Sequence, residues 1–405
     1  CSFRMMFILG RQSNMKRFIP LSIPNFEGNE KKYVDDALEQ GWVSTGGAYI
    51  TKLEQMLAEF LHTGNVAACQ SGTSAIHLSL VEAGVKPGDV VIVPPLTFIA
   101  AVNPVRYQFA RPVFMDCDDS FCMDPVKLRQ FCEEECKFSE GIFSYEGIPV
   151  KAIVVVHVFG NMADMESIMD VAESYNLNVI EDATEALGTY YTEGRYTGRY
   201  AGTIGHFGAY SFNGNKIITT GGGGAVTAGA GIVDHIRYLS TQAKDDPHYY
   251  IHHEVGYNYR MTNLQAALGV AQMEELPEFV RRKRRNYELY EKEFEGFDLA
   301  GLIPFRNGTC SNKWFYSLEI DRSKINASMR KIITLLEQEG IQTRAIWGLI
   351  NEQRPYEGEL TYKLEKAPYY ASRILNIPSS TQITEDEIRF VSDKVKQVLR
   401  ELAND

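Results

Sequence analysis

The sequence predicts an α/β fold: a large domain with a mostly parallel, mixed sheet flanked by helices, then a smaller α+β domain at the C-terminal end. Three observations point there. Short apolar, β-branched runs at 90–93, 113–115, 152–156 and 178–180 alternate with helical stretches such as 100–109 and 165–175, as parallel strands joined by helical crossovers do. Polar motifs follow the runs, at Thr97-Phe98, at 157–160 and at 181–185, where ligands bind in such sheets. From about Gly301 the texture changes to a strand at 314–320, an amphipathic helix at 327–339 and a closing helix at 388–402. The domains are therefore expected at 19–300 and 301–405, with 1–18 a disordered or non-native extension.

Residues 19–24 read as an extended lead-in, and Met15 as a more natural start than Cys1. Helical spacing of Tyr33, Val34, Ala37 and Leu38, and of Leu53, Met56, Leu57 and Phe60, predicts helices at 28–40 and 49–61. Residues 66–78 read as strand, tight turn and helix. There Ser71, Thr73 and Ser74 offer capping hydroxyls, and Gly72 lets the backbone approach a ligand closely. Free N–H groups at a helix start suit a phosphate, although an ordinary helix cap has the same pattern.

Asp182 closes an apolar strand. A carboxylate there needs something positive to meet it: a salt bridge, a helix N-terminus, or the protonated ring nitrogen of a cofactor. His157 reads either as a cleft residue or as a satisfied polar group of the core. The basic run RRKRR at 281–285 reads as a solvated helix face.

Lys216 is the most informative residue. It lies between a hydroxyl-rich strand end (Tyr210, Ser211) and four successive glycines, Gly221 to Gly224. Two buried strands joined by this polar turn would hold the lysine in or near a cleft. A lysine partly removed from water is more readily a neutral, nucleophilic amine, as Schiff-base chemistry requires. A plain glycine turn with an exposed lysine is the alternative.

Composition narrows the classes. The formal charge of −11 argues against a nucleic-acid-binding surface. No apolar run approaches the roughly 20 residues of a membrane helix. The seven cysteines form neither a zinc knuckle nor a disulfide ladder, so they read as reduced thiols of a cytoplasmic protein, with no metal site.

Five segments then occur in one order: S-G-T-S-A at 71–75, P-P-L-T-F-I-A at 94–100, E-D-A-T-E-A-L-G at 181–188, S-F-N-G-N-K-I-I-T-T-G-G-G-G at 211–224, and G-Y-N-Y-R-M at 256–261. Together they resemble the fold-type I pyridoxal-phosphate enzymes, and within them the DegT/DnrJ/EryC1/StrS family of nucleotide-sugar aminotransferases. The resemblance runs from about Ile19 to the C-terminus.

It implies that Lys216 holds pyridoxal 5′-phosphate as an internal aldimine and later shuttles a proton. Asp182 would keep the pyridine nitrogen protonated, Phe98 would stack on the ring, and Gly72, Thr73, Ser74 and Ser211 would hold the phosphate. Glu185 stands where many relatives carry glutamine, near the phenolic oxygen. Asn258 would reach the phosphate of the neighbouring subunit, which implies a homodimer with shared sites. Arg344 and Trp347 match a family segment near the site and are expected to touch sugar or diphosphate, with His157 a third substrate candidate. A buried tryptophan beside a salt-bridged arginine is the alternative reading of that pair.

The implied substrates are a 4-keto-6-deoxyhexose on UDP, GDP or dTDP and an amino-acid donor, glutamate being expected. The texture is closest to enzymes of legionaminic-acid-type or related surface glycans. Two competing functions are a sugar dehydratase on the same fold, whose known forms replace the lysine with histidine, and a non-catalytic regulatory relative.

Overall fold

A computed structural model describes residues 17–404. The expectations for residues 1–16 lie outside the described residues.

A ten-stranded sheet forms the centre. Its parallel part runs in space as Phe207–Ser211, Asn178–Asp182, Ile148–Val156, Val90–Val93 and Arg111–Met115, with Thr361–Tyr362 at that edge. On the other side Gly224–Thr227 and Val66–Cys69 are antiparallel. Strands such as Val90–Val93 are buried along their whole length, which explains why they read as continuous apolar runs. A hairpin of Cys136–Ser139 and Ile142–Tyr145 extends the sheet. It gave no signal in the sequence because its first strand is largely exposed.

The stretch expected as one helix at 100–109 is instead a 3₁₀ turn at Ile99–Ala101 and a short helix at Asn103–Tyr107. Pro104 opens the second piece, since proline starts a helix more easily than it continues one. The helix Met165–Tyr175 forms as expected.

A second core gathers on an antiparallel sheet ordered Ala300–Leu302, Tyr316–Ile320, Ile374–Ile377 and Arg344–Ala345. The helices Met329–Gln338 and Glu385–Asn404 cover it. The 32-residue helix Asn263–Phe294 joins the two cores, starting on the first and ending on the second. Its capping box, Thr262 with Gln265, satisfies the first orphan donors reciprocally. Part of the C-terminal segment, Ile346 to Tyr370, returns to the first core.

The reading of 281–285 as a solvated face needs correction. Arg281 and Arg282 do pair with Glu278 on the surface, but Lys283 is 2 % exposed. It falls on the buried stripe of Phe279, Lys283, Asn286, Tyr290 and Phe294, at the three- and four-residue spacing of one helix face. Among the described residues no helix is long and apolar enough to cross a membrane.

Candidate active site

The parallel strands end level with one another: Val155 pairs with Glu181, and Val156 with Asp182. Beyond these carboxyl ends lies a cavity of about 440 Å³. Asp182, Glu185 and Lys216 line it together with Gly72, Thr73 and Phe98. Ser211, Arg344 and Trp347 line it too.

Lys216 sits in the turn between Phe207–Ser211 and Gly224–Thr227, which pair with Ser211 opposite Gly224. Its side chain is 12 % exposed, and its Nζ donates to Glu185 Oε1 at 3.3 Å. The same Nζ lies 4.3 Å from the centre of the Trp314 ring. Glu185 Oε2 accepts the N–H of Phe159 at 2.8 Å. Phe159 has a positive φ of 56°, an uncommon conformation for a residue with a side chain, and it aims that N–H at the carboxylate.

Two buried carboxylates thus share the cavity. Burial pushes the pKa of Asp182 above the usual carboxylate value, against the pull of Thr184 and Lys216. Burial raises Glu185 likewise, opposed by Lys216 and the Phe159 N–H. Asp182 Oδ1 accepts the Thr184 N–H at 3.0 Å. Lys216 Nζ contacts Glu185 Oε1, and the hydrogen bond that reaches Asp182 Oδ1 is the Thr184 N–H, so among the described residues Asp182 is left without a cation against it.

The helix Gly72–Glu82 points its N-terminus at the same space. Ser71 caps it, its Oγ accepting the Ser74 N–H at 3.1 Å. Ser74 is not on the cavity wall: its N–H meets Ser71 Oγ and its hydroxyl donates to the Ser71 carbonyl. Gly72 and Thr73 are on the wall. A Cβ on Gly72 would lie 2.8 Å from Ser211 Cβ and 2.9 Å from Thr184 Cγ2, so only glycine lets the helix start come this close to the strand end.

His157 is the residue to correct. It is fully buried and does not line the cavity. Its Nδ1 accepts the Ala163 N–H at 3.1 Å, which leaves the proton on Nε2, facing Glu181 Oε2 at 2.9 Å. It is the satisfied core group of the two readings, and it is not on the cavity wall. The residue of that motif that reaches the cavity is Phe159, whose ring packs on Trp347 with centroids 4.6 Å apart. Asn258 is exposed and away from this chain's own cavity, with its backbone bridged to Thr241. Phe98 is 54 % exposed at the mouth.

Sequence reasoning passed over Asn213, Asn215, Thr184 and Trp314, all on the wall. The first three stand inside motifs already singled out. Trp314 carried no local signal, because it comes from the C-terminal part of the chain.

The cavity fits a phosphorylated pyridine aldehyde on its own chemistry. It offers one amine, a buried carboxylate seeking a cation, and a glycine-tight helix start with orphan N–H groups for an anion.

Comparison with known proteins agrees. The sequence pattern of the DegT/DnrJ/EryC1/StrS aminotransferase family matches residues 24–396. EpsN of Bacillus subtilis is 35 % identical over 92 % of this chain and 94 % of its own length. GDP-perosamine synthase of Caulobacter vibrioides is 34 % identical, covering 94 % of this chain and 98 % of its own. The crystal structure of DesI, solved with its TDP-sugar product, superposes with a TM-score of 0.85 at 26 % identity, covering 96 % of each chain.

Proposed function

The chain belongs to the DegT/DnrJ/EryC1/StrS aminotransferase family, and from that premise we propose that it transfers an amino group from glutamate to a 4-keto-6-deoxyhexose carried on a nucleoside diphosphate. The cofactor is pyridoxal 5′-phosphate. It supplies an aldehyde that carries the amino group and a ring that takes up the electron pair released at the substrate carbon.

The protein's part is to hold and to move protons. Lys216 Nζ would hold the cofactor's aldehyde and, once released, would accept the proton leaving the bound substrate's carbon and return it to the cofactor. Asp182 would hold a proton on the ring nitrogen of the bound cofactor, and that positive charge would in turn relieve the burial of its carboxylate. Gly72 and Thr73 bind the phosphate with their N–H groups, aided by the hydroxyl of Ser211. Phe98 covers the ring face. Glu185 sets the position of the Lys216 amine through its 3.3 Å contact and keeps a proton close to it. Arg344 and Trp347 receive the nucleotide sugar. Asn258 of the partner subunit completes the phosphate site, so the working form is a homodimer.

The observation that carries this reading is the convergence of Lys216, Asp182 and Glu185 on one cavity at the level ends of parallel strands. Relatives support the sugar class: one makes GDP-perosamine, and another was solved with its TDP-sugar product.

The test mixes the cofactor-loaded protein with L-glutamate. The visible absorbance of the lysine-bound cofactor should fade, then return when a UDP-, GDP- or dTDP-linked 4-keto-6-deoxyhexose is added. Lys216→Ala should remove turnover by on the order of 10⁴-fold or more while the fold survives. Absorbance that ignores every amino donor would refute the proposal.

A further inference from the structure

Lys283 stands behind the site rather than in it. It projects from the long helix Asn263–Phe294 and is 2 % exposed. Its Nζ donates to the Trp314 carbonyl at 2.8 Å, to the Ser379 hydroxyl at 3.3 Å, and to the Ser379 carbonyl. None of these acceptors is a carboxylate. Burial pushes its pKa down to about 7, while three acceptor oxygens match the three donors of an ammonium. A buried lysine whose partners are all neutral is costly, so its presence calls for a reason beyond packing.

The reason lies in what it grips. The Trp314 carbonyl accepts from Lys283 and from Ser379 Oγ, the latter at 3.2 Å. The Trp314 N–H donates to Asn312 Oδ1 at 3.1 Å. At the far end of the side chain, the indole N–H donates to the carbonyl of Asn215 at 2.9 Å, the residue just before Lys216. The face of the same indole lies 4.3 Å from Lys216 Nζ. Trp314 therefore touches both the backbone that leads into Lys216 and the amine itself, and Lys283 holds its root. Both lysines also line one small cavity of about 10 Å³, with Asn25, Gln272 and Thr381. Loosening Lys283 would open space directly behind Lys216.

We infer that Lys283 is a positioning residue for Lys216: it fixes Trp314, and through the indole it sets the place of the amine relative to Glu185 and Asp182. The inference rests on the role proposed above for Lys216. The long helix thereby ties residues from the C-terminal part of the chain, Trp314 and Ser379, to the reacting amine of Lys216.

The test uses the full-length protein loaded with pyridoxal 5′-phosphate and titrates the visible absorbance of the lysine-bound cofactor with pH. An indole face favours a cation beside it, so Lys283→Met and Trp314→Leu should each lower the midpoint by about 0.5–1 pH unit. The double variant should shift no further than either single one, because the two residues act through one contact. If Lys283→Met does not give folded, loaded protein by circular dichroism, Lys283→Gln takes its place. A midpoint within about 0.2 pH unit of wild type, or shifts that add in the double variant, would overturn the inference. A wild-type protein that develops no visible absorbance with the cofactor overturns the role of Lys216 instead, so the two failures are told apart.

Discussion

Two aspartates stand at the ends of strands of the same sheet, with Ile148–Val156 and Val90–Val93 between them, and are treated in opposite ways. Asp116 follows the strand Arg111–Met115 and is 0 % exposed. Asp182 ends the strand Asn178–Asp182 and is 4 % exposed. Asp116 Oδ2 accepts from Lys127 Nζ at 2.7 Å and from the N–H groups of Glu365 and Lys366 at 2.9 and 3.0 Å. Its Oδ1 accepts the Ala367 N–H at 2.8 Å. Burial opposes its ionisation, but Lys127 and those N–H groups outweigh it and hold the pKa below the usual carboxylate value.

Asp182 has the Thr184 N–H and faces a cavity, and burial drives its pKa the other way. A structural charge finds its partners within the chain. A charge kept for a guest is left short of them, and the cofactor-free protein bears that cost.

The strongest way to break this contrast is Asp182→Asn. Activity should fall by on the order of 10²–10³-fold, the scale for losing one preorganised polar group. The cofactor-free variant should nevertheless be more stable than wild type by about 1 kcal/mol, since a buried charge without a full partner is removed. Denaturant melts of the cofactor-free proteins read this directly. A variant that melts earlier than wild type would make Asp182 structural.

Asp116→Asn should do the reverse. Whichever way the new amide turns, its NH₂ meets a donor that the carboxylate had accepted. Stability should drop by about 3 kcal/mol, with kcat per folded molecule unchanged. A normal melting curve for this variant would erase the distinction between the two sites.

The pH dependence sharpens the same point. Asp182 and Glu185 are raised in the folded state, so the folded protein binds more protons than the unfolded chain above the ordinary carboxylate pKa of about 4. Their contribution to cofactor-free stability should fall as pH rises from about 4 through the raised values, by about 1.4 kcal/mol for every pH unit between the unfolded and folded pKa. Asp116 has the opposite sign: its contribution is present above about 4 and is lost as pH falls through its lowered value. Urea titrations between acid and neutral pH should show a slope in wild type that flattens in Asp182→Asn and in the cofactor-loaded protein. Identical slopes in all three would contradict the assignment.

The smallest effect is expected at Gly72. Gly72→Ala pushes a methyl group against Ser211 and Thr184, at 2.8 and 2.9 Å. Cofactor affinity should weaken by about tenfold, or 1.4 kcal/mol, and the cofactor-free protein should lose about 1 kcal/mol, because Ser211 Cβ cannot swing aside as a flexible side-chain end could. Equilibrium dialysis against pyridoxal 5′-phosphate measures the affinity.

Much of the site was legible because its pieces are local. Gly72, Asp182 and Lys216 each stand beside a strand end, and strand ends of a parallel sheet converge. The motifs therefore locate the cavity on their own. What they lack is direction. His157 and Phe159 are two residues apart at the same strand end, yet one turns into the core toward Glu181 and the other builds the cavity wall. Lys283 looked like its charged neighbours in RRKRR, although its spacing from Phe279 and Tyr290 already placed it on the buried face.

By itself, then, the sequence determined the alternation of strands and helices, the glycine-dependent turns and the residue types able to do imine and proton chemistry. These depend on hydrophobic periodicity and backbone freedom, which act over a few residues. Tertiary structure decided which charges would be saturated and which left open, because that depends on donors from far along the chain. Glu365 to Ala367 close around Asp116 from about 250 residues away, and Trp314 reaches Lys216 across 98. No short-range pattern encodes such meetings, since they exist only once the two cores have packed on a common helix.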